Sequence, residues 1–264
     1  MSLISIGVEV DGFRRPARDG LRQAAELGFR PVELSATGRE VSPEALSDSG
    51  RRHLKRYVEG LGLSLAALGG DLGGRRFADS ANLDERIDRT RKILEMAAEL
   101  RVPVVTGRIG AMRSGDDPRT EMIIAALDQI ADHADKTGVI YAVETTETTP
   151  DLLNAVLKRN ACPYVRVAYD PAALLMEGDD PVAGVQPLAD QVAISFARDA
   201  LQGSGDRPGR ETPFGTGHID FAEYLAALEE AGYHGPQIIR RTNAENPIEE
   251  IAAAKKYLED VLRG

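Results

Sequence analysis

Eight short runs rich in β-branched residues recur along the chain, and each is followed by a stretch with apolar residues at three- and four-residue spacing. The runs lie at 4–10, 31–35, 63–68, 103–108, 139–144, 164–170, 191–198 and 236–241. Strands separated by helical crossovers run parallel, so this alternation restricts the chain to stacked βαβ units. The helical spacing is clear in Leu21, Ala24, Ala25 and Leu27, and again in Ile87, Ile93, Leu94, Ala97 and Leu100. Gly28, Gly62, Gly138 and Gly232 each stand between a helical stretch and the next strand. Glycine adopts the left-handed conformation that closes a helix, so this punctuation supports the assignment of the elements.

Parallel units of this kind build either an open, doubly wound sheet or a closed barrel. An open sheet normally carries a glycine-rich phosphate turn after its first strand. That position here reads Val10-Asp11-Gly12-Phe13. The glycine-rich segment Gly69-Gly70-Asp71-Leu72-Gly73-Gly74 follows the third strand and precedes a polar stretch, as expected of a flexible rim loop. The chain has 264 residues, close to the roughly 250 of one closed α/β barrel, although two smaller domains have the same total length. The expected fold is α/β, a single (β/α)₈ TIM barrel spanning 1–264. The long connection 199–217 would lie on its active face as a lid, a binding loop or a mobile segment.

A formal net charge of −10 repels polyanions, so no nucleic-acid or membrane partner is expected. No basic segment precedes a long apolar stretch, and no apolar run approaches the ~20 residues of a membrane span, so a cytoplasmic location is expected. Cys162 is the only cysteine; it cannot form an intramolecular disulfide or contribute to a cysteine zinc cage, and a structural role is expected.

In a barrel, inward side chains at the C-terminal ends of the strands share one mouth. Glu144 and Asp170 end the fifth and sixth runs, and Arg108, Arg198 and Arg240 close the fourth, seventh and eighth. With a period of two, Glu144 shares a face with Ala142, and Arg198 with Phe196. Catalytic candidates are therefore Glu144, Asp170 and Arg240, and substrate-binding candidates are Arg108, Arg198, Phe196 and Phe13. The alternative for the arginines is that they simply neutralise Glu144, Asp170 and Asp199. His218 precedes the seventh helix and suits a capping or loop role, and His53, His133 and His234 suit helix surfaces or loops.

The chain resembles the xylose-isomerase-like barrels, which include sugar isomerases, ketose epimerases, inosose dehydratases and endonuclease IV. The resemblance covers nearly the whole chain. It rests on 24–34, on Glu144 and Asp170, on Ser195-Phe196-Ala197-Arg198-Asp199, on Gly215-Thr216-Gly217-His218-Ile219-Asp220-Phe221 and on Gly232-Tyr233-His234-Gly235. It implies a divalent metal, manganese, magnesium or cobalt, held by Glu, Asp, His and Glu at the ends of strands 5 to 8. Glu144 and Asp170 match two of these metal positions. Phe196 and Arg240 stand at the other two, and Ala173 replaces a further histidine. Two carboxylates beside a guanidinium hold a hard cation poorly, and Arg240 cannot serve as the second base of an epimerase. Four histidines, none paired at ligand spacing, do not build the three-zinc centre of endonuclease IV.

These departures suggest that Arg240 occupies or approaches the metal position and pairs with Glu144 or Asp170. The expected function is that of a sugar (phosphate) isomerase or epimerase acting on a small carbohydrate or polyol, with a degenerate metal site. Glu144 would be the base, and Arg240 or Arg198 would stabilise an enediolate-like intermediate. The alternative is a metal-free, non-catalytic barrel that binds a small anionic or sugar ligand. The resemblance also implies a homo-oligomer.

Overall fold

The structure is a computed structural model that describes residues 4–74, 76–112, 117–205 and 207–263. Residues 1–3 and 206, which belong to the N-terminal strand reading and the long connection, lie outside the described residues. The barrel strands are β1 (Ile6–Glu9), β2 (Pro31–Ser35), β3 (Ser64–Gly69), β4 (Val104–Gly107), β5 (Ile140–Glu144), β6 (Val165–Tyr169), β7 (Val192–Ala197) and β10 (Gln237–Ile239). All eight pairings between them are parallel, and β1 pairs with both β2 and β10, which closes the sheet into a (β/α)₈ barrel. Closure through Val8, register partner of Val32 and of Ile239, overturns the open-sheet alternative.

Helices α1 (Ala17–Glu26), α2 (Asp48–Gly60), α3 (Leu83–Leu100), α4 (Pro118–Thr137), α5 (Pro150–Asn160), α6 (Pro171–Glu177), α7 (Phe221–Glu230) and α8 (Pro247–Arg263) lie between and after the strands. Their starts are written in the sequence as an oxygen-bearing residue, often followed by proline. Asp117 accepts from Arg119 N, Thr149 from Leu152 N and Asp170 from Ala173 N, and in each case proline occupies the next position. Proline there forgoes an N–H that the helix would leave unpaired. The four punctuating glycines have φ of 73°, 73°, 68° and 79°, the left-handed geometry that any β-carbon disfavours.

Two apolar layers result. The larger lies between the strands and the helices, whereas a smaller one fills the barrel with Ala67, Val104, Ala142, Ala168, Ile194, Phe196 and Ile238. Gly7 faces Ile238 so closely that a Cβ would lie 2.5 Å from its Cδ1. Val32, Leu34, Val105 and Val143, whose neighbours face inward, belong to the outer layer.

The connection 199–217 carries regular structure among its described residues. It contains an antiparallel pair, β8 (Asp199–Leu201) and β9 (Arg210–Thr212), with Asp199 opposite Thr212. Asp199 anchors it: its carboxylate accepts from Ala200 N, Gly215 N and Gly217 N, each at 2.9 Å. The rim loop after β3 is likewise tied, with Asp71 accepting from Gly73 N and Arg76, and Arg86 donating to Gly73 O at 2.8 Å. Among the described residues, no helix is long and apolar enough to cross a membrane. Cys162 is half-buried and sits 3.7 Å from Ala131 O, consistent with a packing role.

Candidate active site

Strand register sets a single tier of charged groups above the barrel filling. Glu9 and Glu33 are register partners across β1 and β2. Val8 pairs with Ile239, and Arg240, the next residue after β10, donates its N–H to Ala197 O at 3.0 Å. Gly107 pairs with Val143, so Arg108 and Glu144 follow at the same level. Because alternate residues face the same side, Glu9, Glu33, Arg108, Glu144 and Arg240 converge on the mouth.

Arg240 is the centre of this tier. Its Nη2 donates to Glu33 Oε1 and Oε2 at 3.1 Å and to Glu144 Oε1 at 3.2 Å. Its Nη1 lies 3.2 Å from Glu144 Oε2, and its Nε lies 3.3 Å from Glu9 Oε1. Beneath it, the Phe196 ring centroid is 3.4 Å from the guanidinium carbon, a cation–π contact in a water-poor setting. Arg108 completes the pairing of Glu144 with an Nε–H donated to Oε2 at 3.0 Å. Thr106 Oγ1 donates to Glu33 Oε1 at 2.6 Å.

These partners divide the carboxylates into different chemical classes. Burial pushes Glu144 up, but the guanidiniums of Arg240 and Arg108 outweigh it and hold the group down at about 2. Burial raises Glu33, against the pull of Arg240 and Thr106. Glu9 is pushed up to about 7, first by desolvation and then by the neighbouring Glu33, Asp11 and Glu144, with Arg240 opposing. Arg240 is held firmly protonated by Glu144, Glu33 and Glu9 despite its burial.

Two cavities open on this tier and share Glu9, Arg108 and Arg240. One of about 150 Å³ is also lined by Glu33, Asp71 and Glu144, and one of about 290 Å³ by Asp11, Arg14, Arg198 and Arg241. Glu144, Arg108 and Arg240 come together on this tier, and Arg198 lines the adjoining cavity. Arg240 takes Glu144 as partner, not Asp170.

Asp170 is fully buried and lines neither cavity. One oxygen caps α6 through Ala173 N at 3.1 Å, and the other accepts from Arg198 Nη1 at 2.9 Å. Two of the substrate-binding expectations are corrected. Phe13 is 3% exposed, lines neither cavity and belongs to the outer core, because the turn at Val10–Phe13 directs it toward α1. Phe196 is completely buried as the platform under Arg240. His218 does not cap α7; Asp220 does, and His218 Nδ1 instead accepts from Gln202 N at 3.3 Å.

The residues that sequence reasoning missed are Glu9, Glu33, Asp71 and Glu211. Glu211, on β9, accepts from Arg241, which also binds Glu250, so the hairpin is fastened to the mouth. The signal for Glu9 and Glu33 was present: each is a lone carboxylate between two apolar residues of a strand.

The sequence profile of the xylose isomerase-like TIM barrel matches residues 21–261. The chain belongs to this family. Among curated members, it is 25% identical over 256 residues to the L-ribulose-5-phosphate 3-epimerase UlaE of Salmonella heidelberg (strain SL476), covering 90% of this chain and 87% of the relative. Among solved folds, a xylose isomerase domain protein from Planctomyces limnophilus superposes with a TM-score of 0.86 at 20% identity, over 99% of this chain and 97% of the other. A xylose isomerase-like TIM barrel protein from Mycobacterium smegmatis, in complex with magnesium, gives 0.78 at 17% identity over 100% and 97%.

A divalent ion, which family membership implies, does not fit the donor set of this mouth. Where the family resemblance requires histidine and glutamate, Phe196 offers no lone pair and Arg240 offers only donors and a positive charge. The guanidinium is already bonded to Glu144, one of the two matching ligands, and Asp170, the other, is consumed by Arg198 and α6. Among the described residues, no group of three His, Cys, Asp or Glu side chains could hold an ion.

Proposed function

We propose that this chain is an isomerase-type enzyme for a small polyhydroxy carbonyl compound, a ketose or its phosphate, in which fixed guanidinium groups do the electrostatic work of an ion. The observation that carries the reading is Arg240 itself: it is buried, it stands over Phe196, and it is bound to Glu33 and Glu144 on the wall of the cavity. Its family supports the choice of chemistry, as does a relative named as an L-ribulose-5-phosphate 3-epimerase.

Removal of a proton next to a carbonyl places negative charge on the carbonyl oxygen. Arg240 and Arg108 line one cavity, and their orientation is fixed by the carboxylates they bind, so they meet that charge without reorganising. Glu144 then acts as the anchor of both arginines, and Asp170 as the anchor of Arg198. Arg198, with Arg14 and Arg241 in the larger cavity, suits an anionic substituent such as a phosphate.

The test is interconversion of L-ribulose 5-phosphate and D-tagatose with their isomers, followed by NMR after exhaustive chelation. Turnover that persists with chelator present, and falls by about 100-fold or more in Arg240→Met, is the expected outcome. Turnover that vanishes on chelation and returns with manganese would sink the guanidinium reading. A second reading, a barrel that binds an anionic sugar without turnover, is favoured by the locking of Glu144 between two arginines. It predicts saturable binding of the sugar phosphate with no product.

A further inference from the structure

We propose that Glu9, at the end of β1, is the catalytic residue that exchanges a proton with bound substrate, a role the family resemblance assigns to the carboxylates ending the fifth and eighth barrel strands. The inference rests on the enzymatic reading above and names the base that reading lacks. Arg240 follows β10, the eighth barrel strand, and cannot accept a proton. Glu144 ends strand 5 but receives donors from both Arg108 and Arg240. A carboxylate loaded with charged donors is a poor base, because taking a proton forfeits those bonds.

The other carboxylates of the mouth also accept hydrogen bonds, from charged side chains or from backbone N–H groups. Glu33 holds Thr106 and Arg240, Asp170 holds Arg198 and Ala173 N, Asp11 holds Ser35 N, and Asp71 holds Arg76 and Gly73 N. Glu9 differs. Its polar contact among the described residues is the ion pair with Arg240 Nε at 3.3 Å, and that Nε forms no hydrogen bond. The Glu9 side chain is 24% exposed, while those of Glu33 and Glu144 are 1% and 3% exposed. It lies on the wall common to both cavities, so a ligand seated in either one meets it beside Arg108 and Arg240.

The charges facing Glu9 also suit the task. Desolvation raises its proton affinity most, Arg240 lowers it, and Glu33, Asp11 and Glu144 raise it further, to about 7, where a group can both take and return a proton. In the reaction, the Glu9 carboxylate takes the hydrogen from the carbon next to the carbonyl as a proton. The C–H electron pair becomes the C=C bond, and the carbonyl π pair becomes a lone pair on an oxygen facing Arg240 and Arg108. Once the Glu9 carboxyl has exchanged that proton with solvent water, return of a proton to the same carbon regenerates a ketose carrying solvent hydrogen. Return to the neighbouring carbon, after the hydroxyl proton has passed between the two oxygens, gives the isomer.

The experiment measures deuterium entry from D₂O into L-ribulose 5-phosphate and D-tagatose by NMR, for the wild type, Glu9→Gln and Glu9→Asp. In parallel, the ¹³C carboxyl resonances of labelled glutamate are titrated in the wild type and Glu9→Gln. The expected result is exchange that rises with pH through about 7 and then levels, because the base form is the ionised one. Exchange should fall by about 100-fold or more in Glu9→Gln with little change in KM, and recover in part in Glu9→Asp. A carboxyl resonance that titrates near neutrality should disappear in Glu9→Gln. Exchange retained in Glu9→Gln within about threefold, or no such resonance, overturns the assignment while leaving the isomerase reading standing. A wild type that exchanges neither ketose overturns the isomerase reading and this assignment with it.

Discussion

Replacing Arg240 by methionine keeps a long apolar side chain over Phe196 but leaves Glu33 and Glu144 buried in one mouth without their shared cation. Stripping one partner from a buried ionic cluster costs about 3–5 kcal/mol near neutral pH. The loss should shrink on acidification, for two reasons of the same sign. In the wild type, Glu144 is depressed to about 2, so its stabilisation is present above its unfolded value and is lost as pH falls toward 2. In the variant, both carboxylates rise above their unfolded values, so the penalty appears only as pH rises and ionises them. Urea unfolding of the two proteins at pH 4.5 and 8 checks this, and equal differences at both values would rule it out. Glu144 and Arg240 were legible because each closes a strand. Glu9 and Glu33 were passed over because they lie inside strand runs, although the alternation applied to Glu144 and Arg198 also turns both inward. What no single-residue reading supplied is the register that sets Glu9 beside Glu33 and brings Arg240 level with them. Partner choice depends on that register.

Strand and helix positions followed from periodicity: β2 falls at 31–35 as read, β3 is displaced by one residue to Ser64–Gly69, and the other six barrel strands are each trimmed by one to three residues. The trimming has a cause at the C-terminal ends, where side chains turn to partners at the mouth: Arg108 to Glu144, and Asp170 and Arg198 to each other. The hairpin β8–β9 was not legible, because three-residue strands carry almost no period and their pairing rests on one carboxylate contacting distant glycines. Asp199→Ala should therefore act on this element alone. It removes the acceptor of Gly215 N, Gly217 N and Ala200 N, at a cost of about 2–3 kcal/mol. Amide exchange in 199–217 should accelerate while β4 to β6 keep their protection, since the barrel ladder does not pass through the hairpin. Acceleration spread evenly over the barrel strands would show that the hairpin and barrel unfold as one unit. By contrast, Asp220→Ala removes only the cap of α7, costs about 1 kcal/mol and should leave ligand binding at the mouth unchanged in a calorimetric titration.

At the scale of the whole barrel, the mouth is a charge-balance problem with two solutions. Glu9, Glu33 and Glu144 face one low-dielectric space, and their mutual repulsion demands a positive centre. A divalent ion solves it from solution; Arg240 solves it covalently, with a cation that cannot dissociate and a planar fork that binds two carboxylates at once. The platform follows the choice. A guanidinium gains from the face of Phe196, whereas an ion needs the nitrogen of a histidine at that position. Since the rest of the tier is set by strand register, exchanging both residues should exchange the solution. Phe196→His with Arg240→Glu provides His and Glu beside Glu144, and frees Glu144 from Arg240 so that it faces the space with Arg108 as its remaining cation. The double variant should bind manganese near one per chain after dialysis, by elemental analysis, and its thermal stability should rise with added manganese. Arg240→Glu alone should bind it weakly, for an aromatic ring still occupies the fourth side. If the double variant folds yet takes up no more manganese than the wild type, then Asp170 is held by Arg198 and α6 too firmly to turn inward. In that case the arginine would be built into the barrel through its whole strand-end network, and not through the two positions alone.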